Sequence, residues 1–152
     1  MLKTRPEQAI QVVLSESFSE IDSQLTPENG IHSGCTAVVS LLFKDPNDES
    51  GHVLYTANAG DARAVLYRSG SALRLSYDHK GSDLEEQKRV KLAGGFISNQ
   101  RVNGLLAVTR SLGDHEMKEF VIGAPYTSKI KLEPKMDAIL VLACDGVWDV
   151  LE

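Results

Sequence analysis

The chain has 152 residues, of which 42% are hydrophobic and 24% charged, a composition typical of one globular domain large enough to bury a core. Its 16 basic and 21 acidic residues leave a net charge of −5, so we expect no nucleic-acid partner, because such binding needs a basic face. The longest apolar run, residues 138–144, is too short to cross a bilayer, so we expect no membrane partner either. Cys35 and Cys144 form neither a disulfide framework nor a zinc motif, which favours a reducing cytoplasmic or nuclear location.

An amphipathic helix is predicted at the start of the chain, over residues 5–25. Thr4 and Glu7 form a capping box, and Pro6 in the first turn needs no hydrogen-bond partner for its nitrogen. Residues 26–30 are rich in helix-ending types. Apolar residues recur at helical spacing and predict a single buried face: Ile10, Val13, Leu14, Phe18, Ile21 and Leu25.

Consecutive strands are predicted over residues 35–76. Residues 35–43 are nearly all apolar, which is typical of a strand covered on both faces. Residues 52–58 predict a second strand, and residues 63–67 and 72–75 flank Ser69 and Gly70 as the two arms of a hairpin. Short strands with tight connections favour an antiparallel meander.

The second half of the chain begins with a predicted helix over residues 83–93, opened by a capping box of Ser82 and Glu85 and ended by a C-cap at Gly94 and Gly95. Strands and loops follow over residues 96–144, with residues 101–114 left open between helix and strand. The apolar segment 138–143 predicts another strand covered on both faces, and a helix starts after Val147. The fold class expected is α+β, with antiparallel sheets and helices packed outside.

Three aspartates stand next to a glycine where a strand ends: Asp61, Asp114 and Asp145. A carboxylate carried by a rigid strand onto a turn is held in place and open to solvent, as a hydrated Mg²⁺ or Mn²⁺ ion requires. Aspartate and glycine are also the commonest turn residues, so the spacing alone leaves a metal site and a structural role both open.

Other candidate residues have plainer explanations. The two cysteines are expected to be buried packing residues, and Trp148 a core anchor. The arginines could meet a phosphate or pair with carboxylates: Arg63, Arg101 and Arg110. The histidines show no metal spacing, suit surface or turn positions and provide no assignable general acid: His32, His52, His79 and His115.

Seven segments carry a more specific pattern: residues 33–37, 57–63, 77–80, 93–95, 101–104, 106–114 and 143–149. In order and approximate spacing they resemble the type 2C metal-dependent serine/threonine protein phosphatases (PPM type). Asp61 in Ala59-Gly60-Asp61-Ala62, and Asp145 and Asp149 in Asp145-Gly146-Val147-Trp148-Asp149, belong to the matching motifs. Residues 76–80 and 121–127 look most like the fungal members that act on stress-activated MAP kinases.

The resemblance implies a β-sandwich of two antiparallel sheets with helices outside and a metal cluster at one end. It implies hydrolysis of phosphoserine and phosphothreonine in proteins by a water held between two Mn²⁺ or Mg²⁺ ions. By motif, Asp145 matches a ligand of a core metal, Asp61 a carboxylate beside a third, weaker metal position, and Asp114 an assisting residue there. Asp149 is expected to support the turn or the outer coordination shell.

Two of the family's motifs have no match in these residues. They are the Asp-Gly-His-Gly-Gly turn, which brings the proposed general acid, and a late Asp-Asn pair; the arginine that binds the phosphate also lies before the former motif. We therefore expect residues 1–152 to be one partial phosphatase domain that contains no catalytic residue of its own and is inactive alone. The expected partner is a phosphorylated protein, such as a MAP kinase pathway protein. The alternative is a non-catalytic phosphatase-like module that binds a kinase or scaffold.

Overall fold

A computed structural model describes residues 8–29, 33–45 and 51–151. The proposed capping box of Thr4 and Glu7, Pro6 and His32 lie outside the described residues. The helices are α1 (Gln8–Gln24), α2 (Leu84–Leu92) and α3 (Asp145–Trp148). The strands are β1 (Gly34–Cys35), β2 (Ala37–Lys44), β3 (His52–Ala59), β4 (Arg63–Arg68), β5 (Ser71–Arg74), β6 (Ile97–Ser98), β7 (Arg101–Val102), β8 (Leu112–Gly113), β9 (Tyr126–Leu132) and β10 (Asp137–Ala143).

Two antiparallel three-stranded sheets form the centre of the fold, in the orders β2-β3-β9 and β10-β4-β5. They pack together through a core that includes Leu54 of β3 and Ala64 and Leu66 of β4. On its other face β3 packs against α1 through Leu14 and Phe18. Strand β3 is therefore buried on both sides, and the predicted antiparallel α+β class is confirmed.

The predicted meander is wrong, because β3 and β4 pair in different sheets. The chain crosses from one sheet to the other through residues 60–62, where Gly60 has a φ of +91°. The β4–β5 hairpin is confirmed, with positive φ at both Ser69 and Gly70, as a two-residue I′ turn requires. Strand β9, which sequence periodicity did not single out, completes the sheet of β3.

Strands β2 and β10 are not covered on both faces, contrary to the prediction from their apolar sequences. Each lies at the edge of its sheet within the described part of the chain. Leu42 and Ile139 are both 58% exposed, and Cys35 and Cys144 are exposed rather than buried. In α1, Ile21 faces solvent while Asp22 turns inward, where its Oδ1 accepts from the backbone N of Gly113 at 2.8 Å.

The ends of the remaining helices differ in detail from the sequence patterns. Asp83, not Ser82, caps α2, since its side chain accepts from the backbone N–H groups of Glu85 and Glu86. The predicted end at Gly94 and Gly95 is confirmed: their N–H groups donate to the carbonyls of Lys91 and Val90 in a Schellman arrangement. Helix α3 begins at Asp145, earlier than predicted. None of the helices in the described ranges is both long and apolar enough to span a membrane.

Candidate metal centre

Asp61 lies on the crossover between the two sheets, and a buried asparagine shapes that crossover. The Nδ2 of Asn58 donates to the carbonyl oxygens of Gly60, at 3.2 Å, and Tyr77, at 2.6 Å. Its Oδ1 accepts from the backbone N of Tyr77 at 3.0 Å. The Asn58 Nδ2 also donates to the carbonyl oxygen of Ala62 at 3.4 Å, so the backbone on both sides of Asp61 is held in place.

Asp145 arrives at the same place by strand pairing. The end of β10 pairs with the start of β4, with Ala143 opposite Arg63, so the chain leaves β10 beside the crossover that carries Asp61. Asp145 then opens α3, and the backbone N of Asp149 donates to its carbonyl at 2.8 Å. Residues four apart on a helical turn lie on one side, which places both carboxylates toward the crossover.

The carboxylates of Asp61, Asp145 and Asp149 line one cavity of about 280 Å³. The basic residues Lys80 and Arg101 line it as well. The negatively charged donors are carboxylate oxygens, which Mg²⁺ and Mn²⁺ prefer, and Mg²⁺ binds through one or two carboxylates while keeping several waters. No three His, Cys, Asp or Glu side chains in the described ranges are close enough to enclose a metal ion. The donor set therefore fits a hydrated ion and not an all-protein cage.

The structure separates Asp114 from this cavity, although all three predicted ligands look alike in sequence. Asp114 is not among the residues that line the cavity; its Oδ2 accepts from the hydroxyl of Ser111 at 2.6 Å. Asp149 lines the cavity instead. From its motif, Asp149 is expected to support the turn or the outer coordination shell, and its spacing of four residues from Asp145 puts it on the same side of this helical turn.

Arg63 connects α3 to the segment that leads to Lys80. Its Nη2 donates to Asp78 Oδ2 at 2.6 Å, and its guanidinium carbon lies 5.4 Å from the ring centroid of Trp148. Trp148, which is half-buried rather than a core anchor, donates from Nε1 to the carbonyl of Ala143 at 2.7 Å. Burial alone would raise the pKa of Asp78, but hydrogen bonds from Arg63 and Arg74 hold it below its usual value.

Glu86 of α2 joins two arginines, Arg89 and Arg110. Its carboxylate accepts from Arg110 Nη2 at 2.6 Å, from Arg89 Nη2 at 3.0 Å and from Thr109 Oγ1 at 2.8 Å. Burial opposes ionisation, but these donors outweigh it and lower the pKa of Glu86 to about 2. Arg110 is thus a carboxylate partner, whereas Arg101 lines the cavity and donates to the carbonyl of Leu105.

His79 is buried, contrary to the expectation of a surface or turn position, and is only 1% exposed. Its Nδ1 lies 3.1 Å from the carbonyl oxygen of Gly60 and donates to it, since a carbonyl oxygen only accepts. Burial, helped by the charge of Arg110, lowers the pKa of His79 to about 4. The ring is therefore neutral at neutral pH, and its hydrogen bond to Gly60 supports the crossover.

A family model described as Protein phosphatase 2C matches residues 2–152 of the chain. The chain belongs to the protein phosphatase 2C family. Protein phosphatase 2C homolog 1 of Saccharomyces cerevisiae is 46% identical over 153 residues, which cover 94% of this chain and 54% of that protein. The protein of the same name from Schizosaccharomyces pombe is 45% identical over 152 residues, or 99% of this chain and 43% of that protein. The resemblance to fungal members is thereby confirmed.

Solved structures confirm the expected fold. One described as a sex-determining protein of C. elegans has a TM-score of 0.83 and 29% identity, and covers 99% of this chain and 37% of that one. A phosphatase from Toxoplasma gondii has a TM-score of 0.71 at 24% identity, covering 97% of this chain and 60% of that one, which supports the fold alone. The chain spans about half the length of the two yeast relatives that it matches.

Proposed function

We propose that the protein containing this chain is a metal-dependent phosphatase that hydrolyses phosphoserine and phosphothreonine in other proteins. The observation that carries this proposal is the convergence of Asp61, Asp145 and Asp149 on one cavity, in a chain of the protein phosphatase 2C family. They come from two separate motifs of the sequence, one with Asp61 and one with Asp145 and Asp149, and the strand pairing of β10 with β4 brings the two motifs together.

A divalent ion at this site would act as a Lewis acid, lowering the pKa of water and neutralising charge on the phosphoryl oxygens. The chain's own residues orient the site. The Asn58 hydrogen bonds hold the turn of Asp61, and the stacking of Arg63 on Trp148 holds the helix of Asp145 and Asp149. Arg101, a permanent cation in the cavity wall, is placed to attract an anionic substrate.

The family is metal-dependent, and the choice of ions is part of the proposal. We infer Mn²⁺ or Mg²⁺, with two or more ions in the complete enzyme. Support comes from the donor chemistry: three aspartates line the cavity, with no cysteine or histidine among its described lining residues, and hard divalent ions select oxygen ligands. The expected role of Asp114 at a metal, and the expected inactivity of residues 1–152 alone, both stay predictions.

The substrates we infer are phosphorylated proteins, and proteins of stress-activated MAP kinase pathways are the first group to test. The sequence likeness to fungal members over residues 76–80 supports this choice, and side chains of that segment line a second cavity beside the metal site. For location we propose the cytoplasm, the nucleus or both. Both cysteines are free and exposed, which suits a reducing compartment.

The decisive experiment measures Mn²⁺-dependent phosphate release from a phosphothreonine peptide by the full natural chain and its Asp145→Asn variant. We expect the variant to lose at least tenfold in rate, because a neutral amide is a far weaker ligand for a hard cation. Glu85→Gln is the matched control, since it makes the same carboxylate-to-amide change at a side chain that is 76% exposed and does not line the cavity.

An unchanged rate in Asp145→Asn would refute the assignment of the metal centre. A wild-type protein that neither takes up Mn²⁺ nor releases phosphate would refute the phosphatase proposal. That result would favour the non-catalytic module that binds a kinase or scaffold.

A further inference from the structure

A lysine ammonium already stands beside one of the three carboxylates. Lys80 Nζ lies 3.5 Å from Asp61 Oδ2, where the Asp61 side chain is 12% exposed and that of Lys80 36%. Coulomb attraction is stronger in such a sheltered position than between fully exposed groups. In this arrangement the Asp61 carboxylate already has a monovalent counterion beside Oδ2, one of the two oxygen atoms that could bind a divalent ion.

The backbone of Lys80 is held by hydrogen bonds, while its side chain lies between two cavities. The Lys80 carbonyl accepts from the backbone N of Asp83 at 3.0 Å, and the residue forms a β-bridge with Val108. Its side chain lines the carboxylate cavity and also a second cavity of about 430 Å³, whose lining includes Asp78 and Asp83. A four-carbon stem can therefore swing the ammonium from Asp61 toward other carboxylates without moving the backbone.

We propose that the Lys80 ammonium competes with the divalent cation for Asp61 and thereby sets the metal affinity of this site. The inference rests on the proposed function only in requiring that a divalent ion binds at Asp61. An incoming ion takes the carboxylate oxygens and repels the positive ammonium, which moves toward the second cavity. Metal binding thus carries the cost of displacing an ion pair.

The expected size of the effect follows from Coulomb's law. An ammonium about 6 Å from a divalent ion weakens its binding by on the order of tenfold in a water-like dielectric. Lys80→Met removes the charge while keeping a long apolar stem, so it tightens Mn²⁺ binding by about that factor at low salt. Added salt screens the repulsion, so the gain shrinks as ionic strength rises.

The test measures Mn²⁺ affinity directly, by titrating the full natural chain and following the electron paramagnetic resonance signal of free Mn²⁺. Lys80→Met is compared with Lys80→Arg, which keeps the charge and is expected to stay within about twofold of wild type. Lys88→Met is the matched control: it removes the same charge from a side chain that pairs with Glu85 at 2.6 Å and lines neither cavity.

A double-mutant cycle with Asp61→Asn then isolates the pair. The gain from Lys80→Met must shrink when Asp61 is neutral, because the Lys80 ammonium is then no longer held beside the bound ion. Unchanged or weaker Mn²⁺ binding in Lys80→Met would overturn the inference, as would an equal gain in the Asp61→Asn background.

The two proposals fail in different ways. If Asp145→Asn weakens Mn²⁺ uptake and Lys80→Met does not tighten it, the metal centre stands and only the role of Lys80 is wrong. If Asp61→Asn and Asp145→Asn both leave Mn²⁺ uptake unchanged, the metal centre itself is wrong, and the role of Lys80 falls with it.

Discussion

Replacing Glu86 by Gln keeps the volume of a buried side chain and removes its charge. Glu86 is 4% exposed and accepts from Arg89, Arg110 and Thr109. The variant leaves two arginines of low exposure without their counter-charge, and breaking a buried ion pair by removing one partner costs about 3–5 kcal/mol. We expect the lower end, because the arginine side chains are still 24% and 21% exposed.

A second route leads to the same magnitude. The gap between the usual pKa of 4.5 and a folded pKa of about 2 corresponds to about 3 kcal/mol of stabilisation by the ionised carboxylate. The unfolded chain binds the proton more tightly than the folded one. This stabilisation is therefore complete above about pH 4.5 and is lost as the pH falls from 4.5 toward 2.

Urea unfolding followed by circular dichroism, at pH 7 and at intervals down to pH 3, measures the free energy of unfolding and its dependence on pH. At pH 7, Glu86→Gln should lower the free energy of unfolding by about 3 kcal/mol, so that the variant unfolds at a lower urea concentration. Between pH 4.5 and 3 the variant should lose less stability than wild type. Glu85→Gln, at a neighbouring exposed carboxylate, should change stability by under about 0.5 kcal/mol. Equal stability of Glu86→Gln and wild type at pH 7, or parallel acid profiles, would refute the reasoning.

Three further substitutions test the packing around the site. Gly60→Ala should destabilise by at least about 1 kcal/mol in thermal unfolding, because a Cβ at φ +91° would meet Thr36; a neutral effect would contradict the crossover geometry. Arg63→Met should shift the fluorescence of Trp148, the one tryptophan of the chain, and weaken Mn²⁺ binding, whereas an unchanged spectrum would show that the cation–π contact does not form. Leu66→Ala should cost about 2–5 kcal/mol in urea unfolding, since Leu66 is 3% exposed between the sheets; a loss below 1 kcal/mol would contradict that burial.

Local patterns were predictable where the chain's own neighbours decide the conformation. The Ser69–Gly70 turn needs only two residues that tolerate positive φ. The end of α2 needs only glycines after the last turn. Even here competition among adjacent residues misled the prediction, because both Ser82 and Asp83 are good caps and Asp83 makes the hydrogen bonds.

The candidate site was only partly predictable for a related reason. Asp61, Asp114 and Asp145 share the same local signature of a glycine turn after a strand. Nothing in that signature says that Asp114 bonds to Ser111 while the other two line one cavity with Asp149. Sequence motifs identified the family and named all of these carboxylates, and they did not reveal which carboxylates meet.

The amino-acid sequence by itself determined most of the element types, the β4–β5 turn and the family, because these depend on periodicity, backbone preference and short motifs. The tertiary structure decided which strands share a sheet and which apolar faces are covered. Strands β3 and β4 are three residues apart yet pair in different sheets, while β4 pairs with β10 from the other end of the chain. Such pairings are settled by packing between distant segments, and Asp61, Asp145 and Asp149 line one cavity because Ala143 lies opposite Arg63.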